Sequence, residues 1–146
     1  MIVTKSWESC RAWVTGGSSG IGHGVALGLA ARGCEVHITT RAPESSASGS
    51  ALAAIQAASD EWARTQSSTP RRAVAHALEL VDVESVDAAV RVMKAHPPDL
   101  FVHAAHVFAP HTPIVAAGAD AVGERLRVNV ASAYALLRGA ARPLSR

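Results

Sequence analysis

The stretch Arg11–Gly33, RAWVTGGSSGIGHGVALGLAARG, decides how the chain is read. It opens as a short apolar run, Arg11–Thr15, and closes as a helix-like pattern, Gly20–Arg32, with Ile21, Val25 and Leu29 spaced by four on one face. Between the two stand Gly16, Gly17, Gly20 and Gly22. A turn from strand to helix aims unpaired backbone N–H groups at whatever sits above it, and the helix dipole adds positive potential there. A diphosphate fits that place only if no Cβ blocks it. Gly16 then permits the tight turn, Gly20 lets the backbone approach the ligand, and Gly22 lets the helix close on the sheet. Ser18 and Ser19 add hydroxyl donors. The other Gly-rich phosphate loop ends in Gly-Lys-Ser/Thr, and no such ending follows here. The stretch predicts a dinucleotide site.

Outward from this stretch, strand-like and helix-like segments alternate. Glu35–Thr40, EVHITT, is β-rich. Arg41–Gly49 reads as a loop, and Ser50–Thr65 as a helix presenting Leu52, Ile55 and Trp62. After the linker QSSTPRR come a strand at Ala73–Leu80, a helix at Glu84–Ala95 carrying Val86, Val90 and Met93, and a strand at Leu100–Ala104. A Pro/His loop over Ala105–Gly118 leads to the longest helix, Asp120–Arg142, with Val122, Leu126, Val130, Ala133 and Leu137 facing in. The order βαβαβαβα implies an α/β fold with a parallel sheet, half or a little more of a doubly wound nucleotide-binding domain.

The totals agree with one domain spanning 1–146. Apolar residues make up 49% with few aromatics, so the core must be Ala, Val and Leu. A net charge of +2 is too weak to argue for nucleic acid or an acidic membrane, and Arg71-Arg72 reads as a solvated loop. Cys10 and Cys34 have no metal or redox spacing and read as small buried residues of a reducing compartment. No signal peptide and no membrane span is evident, which gives a cytoplasmic expectation.

The spacing Thr15-Gly16-x-x-x-Gly20-Ile21-Gly22 resembles the glycine motif of the short-chain dehydrogenase/reductase family. Other landmarks recur in order along nearly the whole chain. LVDVES resembles the acidic turn after the third strand, which implies that Asp82 and Val83 meet the adenine edge. PPDLFVHAAH resembles the fourth strand and its Asn-Asn-Ala-Gly end, with His103, Ala104 and Ala105 then at the cofactor. RVNVASAYALLRGAARPL resembles the helix that carries the family's active-site Asn, here Asn129. The strings TGGSSGIG, LVDV and PDLFVHAAHVF add a fainter similarity to 3-ketosphinganine reductases. The resemblance implies a Rossmann-type sheet and an oxidoreductase interconverting a ketone and a secondary alcohol. It departs at His103 and Ala104, where the family has two Asn, and at His106, where it has Gly beside the nicotinamide ribose.

The choice of dinucleotide turns on the end of the second strand. An NAD enzyme places a carboxylate there. Glu35 opens the strand instead, and five residues at ~3.3 Å put it roughly 16 Å from the far end. That end carries Thr40 and Arg41, a hydroxyl and a guanidinium suited to a 2′-phosphate, which points to NADP(H).

The family's chemistry also needs Tyr-x-x-x-Lys and a Ser. The one tyrosine, Tyr134, has Arg138 four residues on, but it follows Asn129 on the same helix, and arginine cannot release a proton. Tyr134 reads as a side chain packed on the sheet. The catalytic half is therefore expected beyond Arg146, with this chain supplying the cofactor half and Asn129 ordering the active-site water and lysine. The alternative is a non-catalytic dinucleotide-binding sensor or scaffold. His103, His106 and His111 have a spacing that could hold zinc, but no Cys or carboxylate lies close by, so no metal is expected. Self-association is expected: LFVHA becomes a sheet edge guarded only at its start by Pro98 and Asp99, with Val130 and Leu137 candidates for exposure.

Overall fold

The structure, a computed structural model, describes residues 6–106 and 118–141. After a short 3-10 turn at Trp7–Ser9 the elements run β1 (Arg11–Thr15), α1 (Gly20–Ala30), β2 (Glu35–Thr40), α2 (Ser46–Gln66), β3 (Ala73–Ala77), α3 (Val83–Ala95), β4 (Leu100–His103), α4 (Ala119–Leu126), a π-helical turn (Arg127–Ala131) and α5 (Ser132–Ala140). The four strands form one sheet in the order β3-β2-β1-β4. All three pairings are parallel, with Arg11 opposite Glu35, Thr15 opposite His103, and Val36 opposite Ala73. This is the doubly wound architecture expected from the alternating pattern.

The two-residue period of the strands divides the core in two. Ala12, Val14, Val36 and Ile38 face one way, onto Ala26 and Leu29 of α1 and Ile55 of α2. Trp13 faces the other way, into a cluster with Val86, Ala89 and Met93 of α3 and Val128 and Leu136 near the C-terminus. Its indole N–H is satisfied by the carbonyl of His96 at 3.0 Å. Cys10 and Cys34 are both buried in the first cluster and are not joined in a disulfide.

Several expected boundaries move for local reasons. The helix after β2 begins at Ser46 because the Ser45 hydroxyl caps it, accepting the N–H of Ser48 at 3.2 Å. It ends at Ser67 in the left-handed region, φ 51°. The linker that follows is held by α2 itself: the Ser59 hydroxyl bonds both the N–H and the carbonyl of Arg71, and Gln56 accepts the N–H of Ala73. β3 stops at Ala77, yet Leu78 and Leu80 remain buried. β4 stops at His103.

Two helices turn different faces to the core than the spacing predicts. In α1 the buried line is Gly22, Ala26, Leu29 and Ala30, while Ile21 is 84% exposed and Val25 half-buried. In the last helical stretch the buried line is Val128, Ser132, Leu136, Gly139 and Ala140. Val122, Leu126, Val130 and Leu137 are exposed, and Ala133 is half-buried. The reason is close approach: a β-carbon on Gly139 would stand 2.8 Å from a Val90 methyl of α3. Small residues let the helices meet, so the larger apolar residues fall on the other side. Tyr134 belongs to that outer side and is not packed on the sheet; it is 63% exposed, with the Arg138 guanidinium 6.0 Å from its ring centre. The stretch read as one helix contains a π turn, and its expected end at Arg142, like most of the loop Ala105–Gly118, lies outside the described residues.

Candidate functional site

The site is built where β1 ends, and it begins with steric limits. Gly16 has φ +67°, a conformation that L side chains rarely adopt, and a β-carbon there would sit 3.0 Å from the Cα of Ala105. A β-carbon on Gly22 would lie 2.4 Å from the carbonyl oxygen of Gly16. One on Gly17 would strike Ile38 at 2.5 Å. Gly20 differs: its φ of +54° demands glycine, but among the described residues nothing lies within 4 Å of its missing side chain. The turn is thus closed beneath and open above Gly20, which is the shape of a cradle.

Thr15 ties this turn to the end of β4. Its hydroxyl oxygen accepts the N–H of Ala104 at 3.0 Å and of Ala105 at 3.1 Å. With both lone pairs used, the hydroxyl proton is donated to His103 Nδ1, 2.9 Å away. The His103 ring proton therefore resides on Nε2. That atom is buried and has no hydrogen-bond partner among the described residues. Burial, followed by the nearby His106, pushes the His103 pKa down and keeps the ring neutral.

A cluster of hydroxyls braces the end of β2. Ser18 donates to Thr40 Oγ1 at 3.3 Å, and Thr40 and Ser48 share a bond of 3.0 Å. The Thr39 carbonyl takes the N–H of Gly17 at 3.2 Å. Thr40 is buried, so its hydroxyl serves this cluster, while Arg41 beside it is exposed. Ser19 is the N-cap residue of α1 and makes no side-chain capping bond, which leaves its hydroxyl and the first N–H groups of the helix to the open space.

Thr15, Gly16, Ser18, Ser19, Gly20, Ile21, Gly22, Thr40, Arg41, His103, Ala104 and Ala105 thus converge on the C-terminal ends of β1, β2 and β4. Asp82 and Val83 lie at the start of α3. Asp82 caps that helix by accepting the N–H of Glu84 at 3.0 Å, and Val81 and Val83 are exposed on either side of it. Asn129 is half-buried within the π turn, a helix irregularity frequent at functional sites. Glu35 stands at the opposite end of β2, ion-paired to Arg11 Nε at 2.7 Å. His111 lies outside the described residues. Among the described residues no three His, Cys, Asp or Glu side chains are grouped to hold a metal ion.

Sequence reasoning missed the supporting residues Thr39 and Ser48. The alternation of EVHITT carried the signal for Thr39. Ser48 needed the cap at Ser45, hidden in a Ser-rich stretch.

With this geometry in place, comparison with known proteins defines the class. The short chain dehydrogenase model matches residues 11–146, and the chain belongs to that family. Over 99 residues it is 40% identical to a Streptomyces lividans protein described as a "Probable oxidoreductase", covering 68% of this chain and 29% of that one. A short chain dehydrogenase from Burkholderia cenocepacia J2315, solved in complex with NADP, is 30% identical with a TM-score of 0.72, over 97% of this chain and 54% of the other. A short-chain type dehydrogenase/reductase from Mycobacterium ulcerans gives 26% identity and a TM-score of 0.75, over 93% and 46%. The chain spans about half the length of these solved relatives and less than a third of the curated one.

Proposed function

We propose that this chain is the cofactor-binding half of an NADP(H)-dependent oxidoreductase that interconverts a ketone and a secondary alcohol. The observation that carries the reading is the cradle: Gly16 and Gly22 packed to the limit beneath it, Gly20 open above it, and unspent N–H groups at the start of α1. A diphosphate fits this donor set. Ser18 and Ser19 would hold its oxygens. Arg41 would meet the 2′-phosphate, with Thr40 bracing the strand end behind it. Asp82, between exposed Val81 and Val83, would border the adenine.

The orphaned Nε2–H of His103 fits a hydrogen-bond acceptor on the nicotinamide side, next to Ala104 and Ala105. When bound, the dinucleotide supplies or accepts a hydride. Asn129 would order water and the lysine of the catalytic half. The family's Tyr-x-x-x-Lys does not occur in these 146 residues. Turnover would then need residues encoded beyond Arg146, and the chain alone would bind cofactor weakly. The exposed apolar line of α4 and α5 supports self-association.

The test is titration of NADPH and NADH, followed by nicotinamide fluorescence, on the 146-residue chain and on the product of the reading frame extended past Arg146. Binding that favours NADPH, with turnover of a ketone in the longer protein only, supports the reading. Binding without turnover in the longer protein favours a sensor. No binding in either overturns both.

A further inference from the structure

On the face of the sheet that carries Trp13, residues of three strands form a chain of hydrogen bonds unconnected with the cradle. Arg11 holds Glu35 through Nε at 2.7 Å and Nη2 at 3.3 Å. Glu35 Oε1, which accepts the Arg11 Nε–H while Oε2 accepts from Nη2, also lies 2.8 Å from His37 Nε2, and His37 Nδ1 lies 2.9 Å from His76 Nε2. The His37 and His76 rings lie edge to edge, their planes 10° apart, and the Trp13 indole stacks on both, with centres 4.8 and 4.6 Å away. His37 is 3% exposed. Paired polar groups this deep demand a defined proton arrangement.

That arrangement can be read from Arg11 outward. Arg11 is always protonated, and its hydrogen bonds together with that of His37 outweigh burial and keep the Glu35 carboxyl below its usual range. Glu35 is therefore an acceptor, so His37 donates from Nε2. A neutral His37 then has a lone pair on Nδ1, and His76 donates to it from Nε2. One added proton is accommodated at His76 Nδ1 without breaking a bond. A second is not: it would set N–H against N–H across the 2.9 Å contact and place two cations side by side on Trp13. Glu35, the carboxylate that contacts the pair among the described residues, is already shared with Arg11.

We propose that Glu35, His37 and His76 form an acid-sensitive clamp that ties β3 to β2 and β1, its two imidazoles accepting at most one added proton where those of the unfolded chain accept two. The groups acting on the pair are Arg11 from β1, Glu35 from β2 and His96 after α3, whose ring centre is 5.8 Å from that of His37. Asp99, before β4, acts through Arg11 by accepting its backbone N–H at 2.9 Å. Burial pushes both imidazoles down, His76 to about 4, with His37 and His96 adding to the effect there. The sign follows from proton counting. Between about pH 6.5, where a free imidazole titrates, and the lowered folded values, the unfolded chain binds more protons, so stability falls as pH falls. The contribution is complete above pH 6.5.

The experiment is imidazole 15N NMR of the full chain across pH 4.5–7.5, beside thermal unfolding at each pH. We expect a through-hydrogen-bond coupling between His37 Nδ1 and His76 Nε2 at neutral pH, no titration of either ring near 6.5, and a melting temperature that falls below that pH. His76→Phe retains a ring against Trp13 and should flatten the dependence, whereas His96→Gln should retain it. Independent titration of both rings near 6.5, with no coupling, overturns the clamp whether or not His76→Phe folds.

Discussion

Gly22 packs against Gly16 so tightly that a β-carbon on the first would stand 2.4 Å from the carbonyl oxygen of the second. The obstacle is backbone, which cannot swing aside. Gly22→Ala should therefore lift α1 from the turn, at about 1–3 kcal/mol for overpacking, and weaken dinucleotide binding with it. Gly24 is the internal control. It lies in the same helix with nothing among the described residues within 4 Å of an added β-carbon, so Gly24→Ala should gain ~0.5–1 kcal/mol from helix propensity. Denaturant unfolding of both variants checks the pair, and equal effects would remove the steric account.

Thr15→Val tests the joint between β1 and β4. Valine has the shape of threonine but offers no acceptor to the N–H groups of Ala104 and Ala105. Leaving these half-buried donors and His103 Nδ1 unmatched should cost about 1–3 kcal/mol. Amide exchange at residues 104 and 105 should accelerate well beyond that of Ile38, and unchanged protection there would show that the hydroxyl is dispensable.

Arg41→Ala should weaken NADPH more than NADH, by about 1.5–3 kcal/mol for one charged hydrogen bond. The basis is an exposed guanidinium at the end of β2 and a Thr40 hydroxyl already engaged with Ser48. Titrating both cofactors into both proteins decides it. Equal losses would mean that the 2′-phosphate is recognised elsewhere or not at all.

The outer line of Val122, Leu126, Val130, Tyr134 and Leu137 should drive association at micromolar concentration. In the described sheet β4 pairs only with β1, which adds an open edge. Light scattering should report dimers or larger species, reduced in Leu126→Gln/Val130→Thr. A monodisperse monomer would contradict the expectation.

The fold was legible because its signals are local. The β-rich composition of EVHITT and the glycines after Arg11–Thr15 locate β2, β1 and the turn within a residue or two. Helix faces were less legible, since periodicity identifies an apolar line but not which line is buried. In α5 the choice was made by Gly139 meeting Val90, a contact between residues far apart in sequence. The glycines of the turn were legible from their spacing, because the positive φ of Gly16 and Gly20 and the contact of Gly22 with Gly16 are set within the turn itself. The braces were not. Thr39, Ser48 and the His37–His76 pair acquire their partners only when β1, β2, β3 and α2 come together, and a histidine in a strand carries no mark of the ring it will meet.

The order β3-β2-β1-β4 also sets a schedule for the chain's synthesis. β1 is made first, yet it gains its second neighbour only when His103 arrives to take the Thr15 hydroxyl, 88 residues later. At ribosomal speeds of 5–20 residues per second, that is an interval of about 4–18 s. Until β4 arrives β1 keeps a free flank, and for most of that interval Trp13 lacks the α3 residues that will bury it. The largest fully buried side chain among the described residues is thus among the longest exposed in the nascent chain.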